Sequence, residues 1–292
     1  MYAIMGITGQ VGGAAARTLL ANGQSVRAIV RDPSKAARWA AVDAEVAVAD
    51  FRDPDALQSA FAGVDGVFVM NPPNFAPEDN FPETRAIIAA IRRALEVAKP
   101  PKIVCLSSVG AHRPKGLGLI TTLYILEQEL GSLPMPSAFV RAGWFMENSQ
   151  WDIPIARETG EMPSFLRPLD RRIPMVATSD VGRVIAETLQ QTWLGKRIIE
   201  IDGPRQYSPN DIAAIFESLL GRSVQAIAVP REQWATFFED QGAAPHTTAP
   251  RIEMLDGFNS GWIDFERQGT EYIVGRVPME EVLGIILASS SK

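Results

Sequence analysis

The chain opens with a short apolar run, residues 2–5, that leads directly into three evenly spaced glycines, Gly6, Gly9 and Gly12. A helical pattern follows from Ala14 to Asn22. A strand, a glycine-rich turn and a helix in this order are typical of the unit that binds the pyrophosphate of a dinucleotide. Gly6 would allow the tight turn, Gly9 would let the backbone approach the phosphates, and Gly12 would let the helix pack closely on the strand. The free N–H groups at the start of the helix would hold the anion, which predicts contacts from Gly6, Thr8, Gly9, Gln10, Val11 and Gly12.

Residues 1–140 alternate short apolar runs with amphipathic stretches of helical period. This alternation predicts an α/β fold of the Rossmann type, a doubly wound parallel sheet with helices on both faces. Such sheets bind ligands beyond the carboxyl ends of their strands, so we expect the loops after the strands to form one functional rim. The predicted strands after the first are Val26–Val30, Glu45–Ala49, Val67–Met70, Ile103–Leu106 and Ala138–Val140, and the predicted helices are Ser34–Ala41, Asp55–Phe61, Glu83–Ala98 and Leu119–Leu130.

The pattern changes after Arg141. Residues 142–177 carry several prolines and aromatic residues, and we expect them to be irregular. Ser208 and Asp211, three residues apart ahead of an apolar run, predict a capped helix start. The elements predicted beyond the irregular segment are helices Val181–Gln191, Ile212–Leu220, Glu232–Asp240 and Met279–Leu287 and strands Arg197–Asp202 and Val224–Val229.

Two structural units follow from this organisation. Residues 1–150, with 176–203 returning to them, would form an NAD(P)-binding domain. Residues 151–175 and 204–292 would form a smaller C-terminal α/β lobe that binds the substrate. A cleft between two such units is the default place for a small ligand.

Composition argues against several classes of protein. The net charge of −6 argues against nucleic-acid binding, and no apolar stretch approaches the roughly 20 residues that span a bilayer. Two histidines and one cysteine make no metal cluster, and we expect His112 and His246 to be exposed in loops and Cys105 to be inert in a buried strand. Because the first strand starts at residue 2, we expect no signal peptide and a cytoplasmic location.

Arg31 ends the second predicted strand, nineteen residues after Gly12. NAD-binding units usually place an acid there against the ribose 2′-hydroxyl, whereas an arginine accommodates the 2′-phosphate of NADP. Lys35, one helical turn further on, would add a second charge. These residues favour NADP(H) over NAD(H); the alternative is a solvated pair of cations beside Asp32.

Two further strand ends extend the predicted cofactor site. Asp50 and Phe51 follow the third strand and would lie beside the adenine, with a helix-start acid as the alternative for Asp50. Asn71 and Pro72 follow the fourth strand and would lie near the ribose or nicotinamide, with a plain loop as the alternative. All four residues fall on the predicted rim.

Ser107 and Ser108 end the fifth predicted strand on the same rim. We expect Ser107 to contact the cofactor and Ser108 to be a candidate for polarising a substrate carbonyl. The alternative is a pair of structural serines that cap a turn.

Nine segments along nearly the whole chain form one recognisable set: Gly6-x-x-Gly9-x-x-Gly12, Val26-Arg27-Ala28-x-Val30-Arg31-Asp32-Pro33, Asp50-Phe51-Arg52-Asp53, Ser107-Ser108-Val109-Gly110-Ala111, Glu127-Gln128-x-Leu130, Arg141-Ala142-Gly143-Trp144-Phe145-Met146-Glu147-Asn148, Ala177-Thr178-Ser179-Asp180-Val181-Gly182, Gly203-Pro204 and Gly275-Arg276-x-Pro278. Together they resemble the NmrA-like branch of the atypical short-chain dehydrogenase/reductase superfamily. The resemblance implies NADPH-dependent reduction of quinones, azo dyes or triphenylmethane dyes, although the family also contains NADP-binding regulators without known redox chemistry.

The chain departs from the superfamily at the catalytic pair Tyr-x-x-x-Lys. Tyr124 has Gln128 where the lysine belongs, and Leu123 occupies the position where many NmrA-like members carry a lysine. The catalytic residue is therefore left unknown, with Ser108 and Tyr124 as candidates. Hydride transfer to a quinone or a dye does not require this pair, since such acceptors need no strong proton donor from the protein.

The predicted acceptor pocket is apolar and lies beside the nicotinamide end. Its walls would be Phe75, Trp144, Phe145 and Met146; the alternative is an aromatic cluster that ties the small lobe to the sheet. A regulator that senses NADP and acts through a protein partner is the rival function, and a sugar-nucleotide epimerase is disfavoured by the missing pair. The sequence leaves open whether the chain forms a homodimer.

Overall fold

The computed structural model of the protein describes residues 1–289. The strands of that part of the chain are β1 (Tyr2–Ile4), β2 (Val26–Val30), β3 (Glu45–Val48), β4 (Gly66–Val69), β5 (Ile103–Ser108), β6 (Ser137–Ala142), β7 (Trp144–Phe145), β8 (Glu161–Ser164), β9 (Met175–Val176), β10 (Lys196–Asp202), β11 (Gln225–Ala228) and β12 (Glu271–Val274). The α-helices are α1 (Gln10–Ala21), α2 (Ala37–Ala40), α3 (Pro54–Phe61), α4 (Pro82–Ala98), α5 (Thr121–Leu130), α6 (Ile153–Thr159), α7 (Thr178–Leu189), α8 (Pro209–Leu220), α9 (Trp234–Asp240), α10 (Ala249–Ser260) and α11 (Met279–Ser289).

Within residues 1–289, eight strands pair into one parallel sheet in the order β12-β10-β6-β5-β4-β1-β2-β3. In β1, Tyr2 lies opposite Val26 of β2 on one side and Gly66 of β4 on the other. The strand order reverses at β1, which makes the crevice beyond the carboxyl ends of β1 and β4 the switch point of the sheet. The predicted Rossmann-type, doubly wound fold is confirmed.

Helices cover both faces of the sheet. On one face, α1 and α7 pack so closely that a Cβ atom on Gly182 would lie 2.5 Å from the Cβ atom of Ala14. Helices α3, α4 and α5 cover the other face, where Phe61, Ile91 and Leu126 are fully buried. Apolar strands between two helical layers explain why the strands read as nearly continuous hydrophobic runs.

The second lobe is more regular than predicted. Residues 142–177 are not irregular, because they contain β7, α6, β8 and β9. The assignment of residues 204–292 to the small lobe is also wrong at one element, since β12 pairs with β10 at the edge of the large sheet. A second hydrophobic core, outside the large sheet, includes Met146, Tyr207 and Phe216, and the part of the chain around it is called the small lobe below. This core continues into the loop after β5, where Val109, Ala111 and Leu117 are fully buried.

One predicted helix is divided. The sequence predicts a single helix over Ser34–Ala41, but the structure has a 3₁₀ turn at Pro33–Lys35 followed by the short helix α2. Asp32 accepts a hydrogen bond from the N–H of Ser34, which favours the tight turn. The segment therefore remains close to the rim of the sheet.

The described residues offer neither a membrane-spanning helix nor a cluster of metal ligands. No helix between residues 1 and 289 combines the length and the apolar character needed to cross a bilayer. The same residues hold no group of three or more His, Cys, Asp or Glu side chains arranged to bind a metal ion. Cys105 is fully buried in β5, and burial raises the pKa of its thiol.

Candidate active site

The glycine turn between β1 and α1 has room for no side chain at two positions. Gly6 has a φ of +59°, and a Cβ atom there would lie 2.1 Å from Sδ of Met70. A Cβ atom on Gly12 would lie 2.5 Å from the carbonyl oxygen of Gly6. Gly9 is the N-cap of α1 and offers no side-chain bond to the first turn. The N–H groups at this helix start are thus left for an external anion, which fits a pyrophosphate.

An open cavity of about 560 Å³ adjoins this turn. Thr8 of the glycine turn lines one part of it, and Lys35 and Arg38 line another. Two cations beside a helix N-terminus make the cavity suitable for a ligand with several phosphates. Arg38 was missed by the sequence analysis, although it follows Lys35 by three residues, the spacing that places two side chains on one helical face.

Arg31 lies at the neighbouring strand end and is exposed. Its guanidinium carbon is 5.9 Å from the ring centroid of Phe51, which is itself largely buried in the core. Asp50 accepts hydrogen bonds from the N–H (2.8 Å) and Nε (3.2 Å) of Arg52, and the side-chain bond is the main reason why its pKa is lowered. The acid that starts α3 is Asp53 rather than Asp50.

Asn71 and Pro72 follow β4 at the switch point, and both are half-buried. The Oδ1 atom of Asn71 is buried, and no donor among residues 1–289 reaches it. A buried polar atom without a partner is unfavourable, so this amide fits a ligand that carries a hydroxyl or amide donor. The ribose and the carboxamide of a nicotinamide nucleotide both carry such donors.

The serines at the end of β5 differ in their surroundings. The hydroxyl of Ser107 is buried and donates to Glu127 at 2.5 Å, so its proton is already used within the protein. Ser108 is half-buried and donates to the carbonyl of Val109 at 3.2 Å, a bond long enough to be exchanged. Of the two, Ser108 is the one whose hydroxyl is less firmly bonded within the protein.

Tyr124 lies in α5, half-buried, and packs against the core of the small lobe. Gln128, which follows it by one turn, is exposed. Leu123 is half-buried in the same core. These two positions therefore place no cation beside the phenol.

The four side chains predicted to line the acceptor pocket differ in exposure and in the core against which they pack. Phe75 lies in the loop after β4 with 65% of its side chain exposed, while Met146 is fully buried in the core of the small lobe and offers no surface to a ligand. Trp144 and Phe145 are both half-buried, but Trp144 packs against the small lobe and Phe145 against the core of the large one. Alternate residues of a strand point to opposite faces, which explains the division.

His112 is not exposed, contrary to expectation. It is half-buried, burial lowers its pKa, and its Nδ1 atom is buried without a hydrogen-bond partner in the described part of the chain. The aromatic ring of Trp262, above which Arg113 lies at 4.1 Å, helps to cover this loop. The prediction that His246 is exposed is confirmed.

Comparison with known proteins gives a consistent result. A model of the NmrA-like family matches residues 2–248. The NAD(P)H azoreductase of Xenophilus azovorans is 28% identical over 234 residues, which are 80% of this chain and 78% of that protein. The structure of an NADPH-dependent quinone oxidoreductase from Escherichia coli in complex with NADPH superposes with a TM-score of 0.82, at 22% identity, over 98% of this chain and 100% of that one. The triphenylmethane reductase of Citrobacter sp. in complex with NADP(H) gives a TM-score of 0.79, at 20% identity, over 98% and 100% of the two chains.

Proposed function

The chain belongs to the NmrA-like family, and on that premise we propose that it is an NADPH-dependent oxidoreductase that reduces a small conjugated acceptor such as a quinone or a dye. One observation carries the proposal: the helix start without a side-chain cap adjoins a cavity lined by Lys35 and Arg38. Similar proteins named as an azoreductase, a quinone oxidoreductase and a triphenylmethane reductase support the choice of acceptor.

Each part of the rim takes a role in this proposal. The turn from Gly6 to Gly12 holds the pyrophosphate, and Arg31, Lys35 and Arg38 surround the 2′-phosphate of the adenosine. The buried Oδ1 atom of Asn71 accepts a hydrogen bond from the nicotinamide half of the cofactor. The acceptor lies between that half and the accessible aromatic side chains Phe75 and Trp144.

The proposed reaction requires no side chain that acts as a strong acid. The cofactor, when bound, supplies a hydride, and one proton from solvent completes the reduction of a quinone to a hydroquinone, leaving NADP⁺. Because the acceptor needs no strong acid, the glutamine at position 128 and the leucine at position 123 are compatible with turnover. The protein contributes mainly by holding the two reactants in contact.

The proposal is tested by mixing the protein with NADPH and a panel of quinones and dyes. The absorbance of the reduced nicotinamide should fall with at least one acceptor, at a rate that depends on protein concentration. NADPH that binds tightly while its absorbance stays constant with every acceptor would contradict catalysis.

That second outcome would favour a regulator that senses NADP and acts through a protein partner. The observation on its side is that neither Leu123 nor Gln128 supplies the cation that normally assists Tyr124. A regulator of this kind should bind NADPH and NADP⁺ with different affinities, which calorimetry would measure.

A further inference from the structure

Arg251 is an uncompensated cation in the small lobe. It lies in the first turn of α10, where there is no acidic residue, and the positive end of the helix dipole disfavours a cation at this position. The side chain is half-buried, burial lowers its pKa, and no carboxylate within residues 1–289 forms an ion pair with it. Its guanidinium carbon lies 3.9 Å from the ring centroid of Phe238.

A second arginine lies over the same helix. Trp234 and Phe238 are four residues apart in α9 and therefore share one face. Arg167 lies over Trp234 at 5.2 Å and, like Arg251, is half-buried and forms no ion pair inside the described range. Phe165 contacts both rings, with centroids 5.8 and 4.9 Å away. Two unpaired guanidinium groups thus border one aromatic cluster.

This aromatic cluster extends to the rim of the large sheet through Trp144. Trp144, which follows β6 at the rim of the large sheet, packs against the cluster and meets Phe258 of α10 edge to face at 5.2 Å. Helix α10 also presses on the loop after β5, since a Cβ atom on Gly118 would lie 1.9 Å from the carbonyl oxygen of Pro250. Arg251 therefore belongs to the part of the small lobe that contacts the rim.

We infer that Arg251, with Arg167 at the same aromatic cluster, binds an anionic substituent of the acceptor, so that the protein prefers conjugated acceptors carrying a sulfonate, carboxylate or phosphate group. This inference rests on the proposed function. The planar rings of the acceptor pack on Trp144 and Phe165, the half-buried aromatic side chains that contact the cluster, and the anion accepts hydrogen bonds from the N–H groups of a guanidinium. Binding supplies the counter-charge that Arg251 lacks within the protein.

The test compares two acceptors that differ by one charge, naphthoquinone and naphthoquinone sulfonate. The measured quantity is the ratio of kcat/KM for the sulfonate to kcat/KM for the neutral quinone. In Arg251→Gln this ratio should fall about tenfold, mainly through KM, because one charge-assisted contact is worth roughly 1.4 kcal/mol. Arg251→Lys keeps the charge and should keep part of the preference.

Arg231→Gln is the matched control. The guanidinium of Arg231 also lies 5.2 Å from the Trp234 ring, but Asp256 already neutralises it at 2.8 Å. The control should leave the ratio unchanged. A ratio that stays constant in Arg251→Gln, or that falls equally in the control, overturns the inference.

A binding measurement separates this inference from the proposed function. If the protein binds NADPH but reduces neither quinone, the oxidoreductase proposal fails, and calorimetric titration with naphthalene sulfonate then decides the anion site. Binding that weakens in Arg251→Gln but not in Arg231→Gln supports the site. No binding, or equal binding by both variants, overturns it.

Discussion

At the residue scale, the arginines that follow β2 and β3 differ in whether an acidic side chain forms an ion pair with them. Arg52 is tied to Asp50 by hydrogen bonds of 3.2 and 3.3 Å. Arg31 lies 5.9 Å from the ring centroid of Phe51, and its charge contributes to lowering the pKa of Asp50 without an ion pair between them. Because Arg31 makes no ion pair in the described part of the chain, its guanidinium can form charge-assisted hydrogen bonds to a phosphate. The choice between NADPH and NADH should therefore depend on Arg31 more than on Arg52.

We expect Arg31→Ala to weaken the binding of NADPH by about 2 kcal/mol or more and that of NADH much less, since only NADPH carries the 2′-phosphate. Dissociation constants for both nucleotides from calorimetry would check this. Arg52→Ala is the control and should change both affinities by similar small amounts. Equal losses for the two nucleotides in Arg31→Ala would show that Arg31 does not contact the 2′-phosphate.

Asp152 is a residue whose charge opposes folding. Burial raises its pKa to about 7, and no hydrogen bond to its carboxylate is found within residues 1–289. Its pKa in the unfolded chain is about 3.9, so the folded state holds its proton more tightly. The penalty is absent at pH below about 4, grows as the pH rises and is complete above about pH 7.

Asp152→Asn should therefore raise the free energy of unfolding by about 2 to 4 kcal/mol near pH 8 and change it little near pH 4. Urea unfolding at the two pH values measures both. The exposed Asp170 provides the control, and Asp170→Asn should have little effect at either pH. A gain of equal size at both pH values would mean that the carboxylate is not the cause.

At the scale of elements, local signals decide where helices begin. Ser208 accepts a hydrogen bond from the N–H of Asp211 at 3.1 Å, and Asp211 accepts one from the N–H of Ser208 at 2.9 Å. This reciprocal cap was predicted from the spacing of the two residues, and the structure confirms it. Bonding to Arg172 is the main reason why the pKa of Asp211 is lowered to about 2, so the cap stays charged in all but strong acid.

Ser208→Ala should lower the free energy of unfolding by about 1 kcal/mol, because one N–H group at the start of α8 loses its partner. Urea unfolding would show this as a lower midpoint with an unchanged slope. Ser223→Ala removes an exposed hydroxyl just beyond the same helix and should leave the midpoint in place. If the two variants unfold alike, the cap does not limit stability.

The strands and helices of residues 1–140 were predicted well because the spacing of their apolar residues is clear. Strand β2 was predicted to the residue, and the bounds of the others differ by a few positions. Helix α6 was missed because Pro154 occurs in its first turn, where proline is tolerated but reads as a break. Helix α10 was missed because its buried residues include Gly257 and do not form an apolar stripe.

The candidate site could be predicted only in part from the sequence, because some of its residues lie on elements whose apolar pattern is weak. Residues that follow strands, such as Gly6, Arg31 and Asn71, could be assigned to one rim because parallel strands end together. Arg251 could not, since its helix was not predicted. Met146 was assigned to an open wall, but only the packing of α11 and Gly203 shows that its side chain is enclosed.

At the scale of the molecule, one buried arginine connects elements that are far apart in the sequence. Arg141 of β6 forms two hydrogen bonds to Glu127 of α5, at 2.7 and 2.9 Å, and one to Glu266, at 2.7 Å. Glu200 of β10, also fully buried, accepts from the N–H of Glu266 and from the N–H of Arg267, in the segment that leads to β12. These bonds fix the segment that runs from the small lobe back to the edge of the large sheet.

Arg141→Met should lower the free energy of unfolding by about 3 to 5 kcal/mol, since it leaves the carboxylates of Glu127 and Glu200 buried without their cation. Arg197→Met is the comparison, because Arg197 pairs with Glu271 at the same 2.7 Å but at the surface, where loss of a pair costs about 1 kcal/mol or less. The double variant Arg141→Met/Glu127→Met should regain part of the loss by removing one uncompensated charge. Urea unfolding of these variants measures the coupling, and equal effects of Arg141→Met and Arg197→Met would show that burial of the network adds nothing to its contribution.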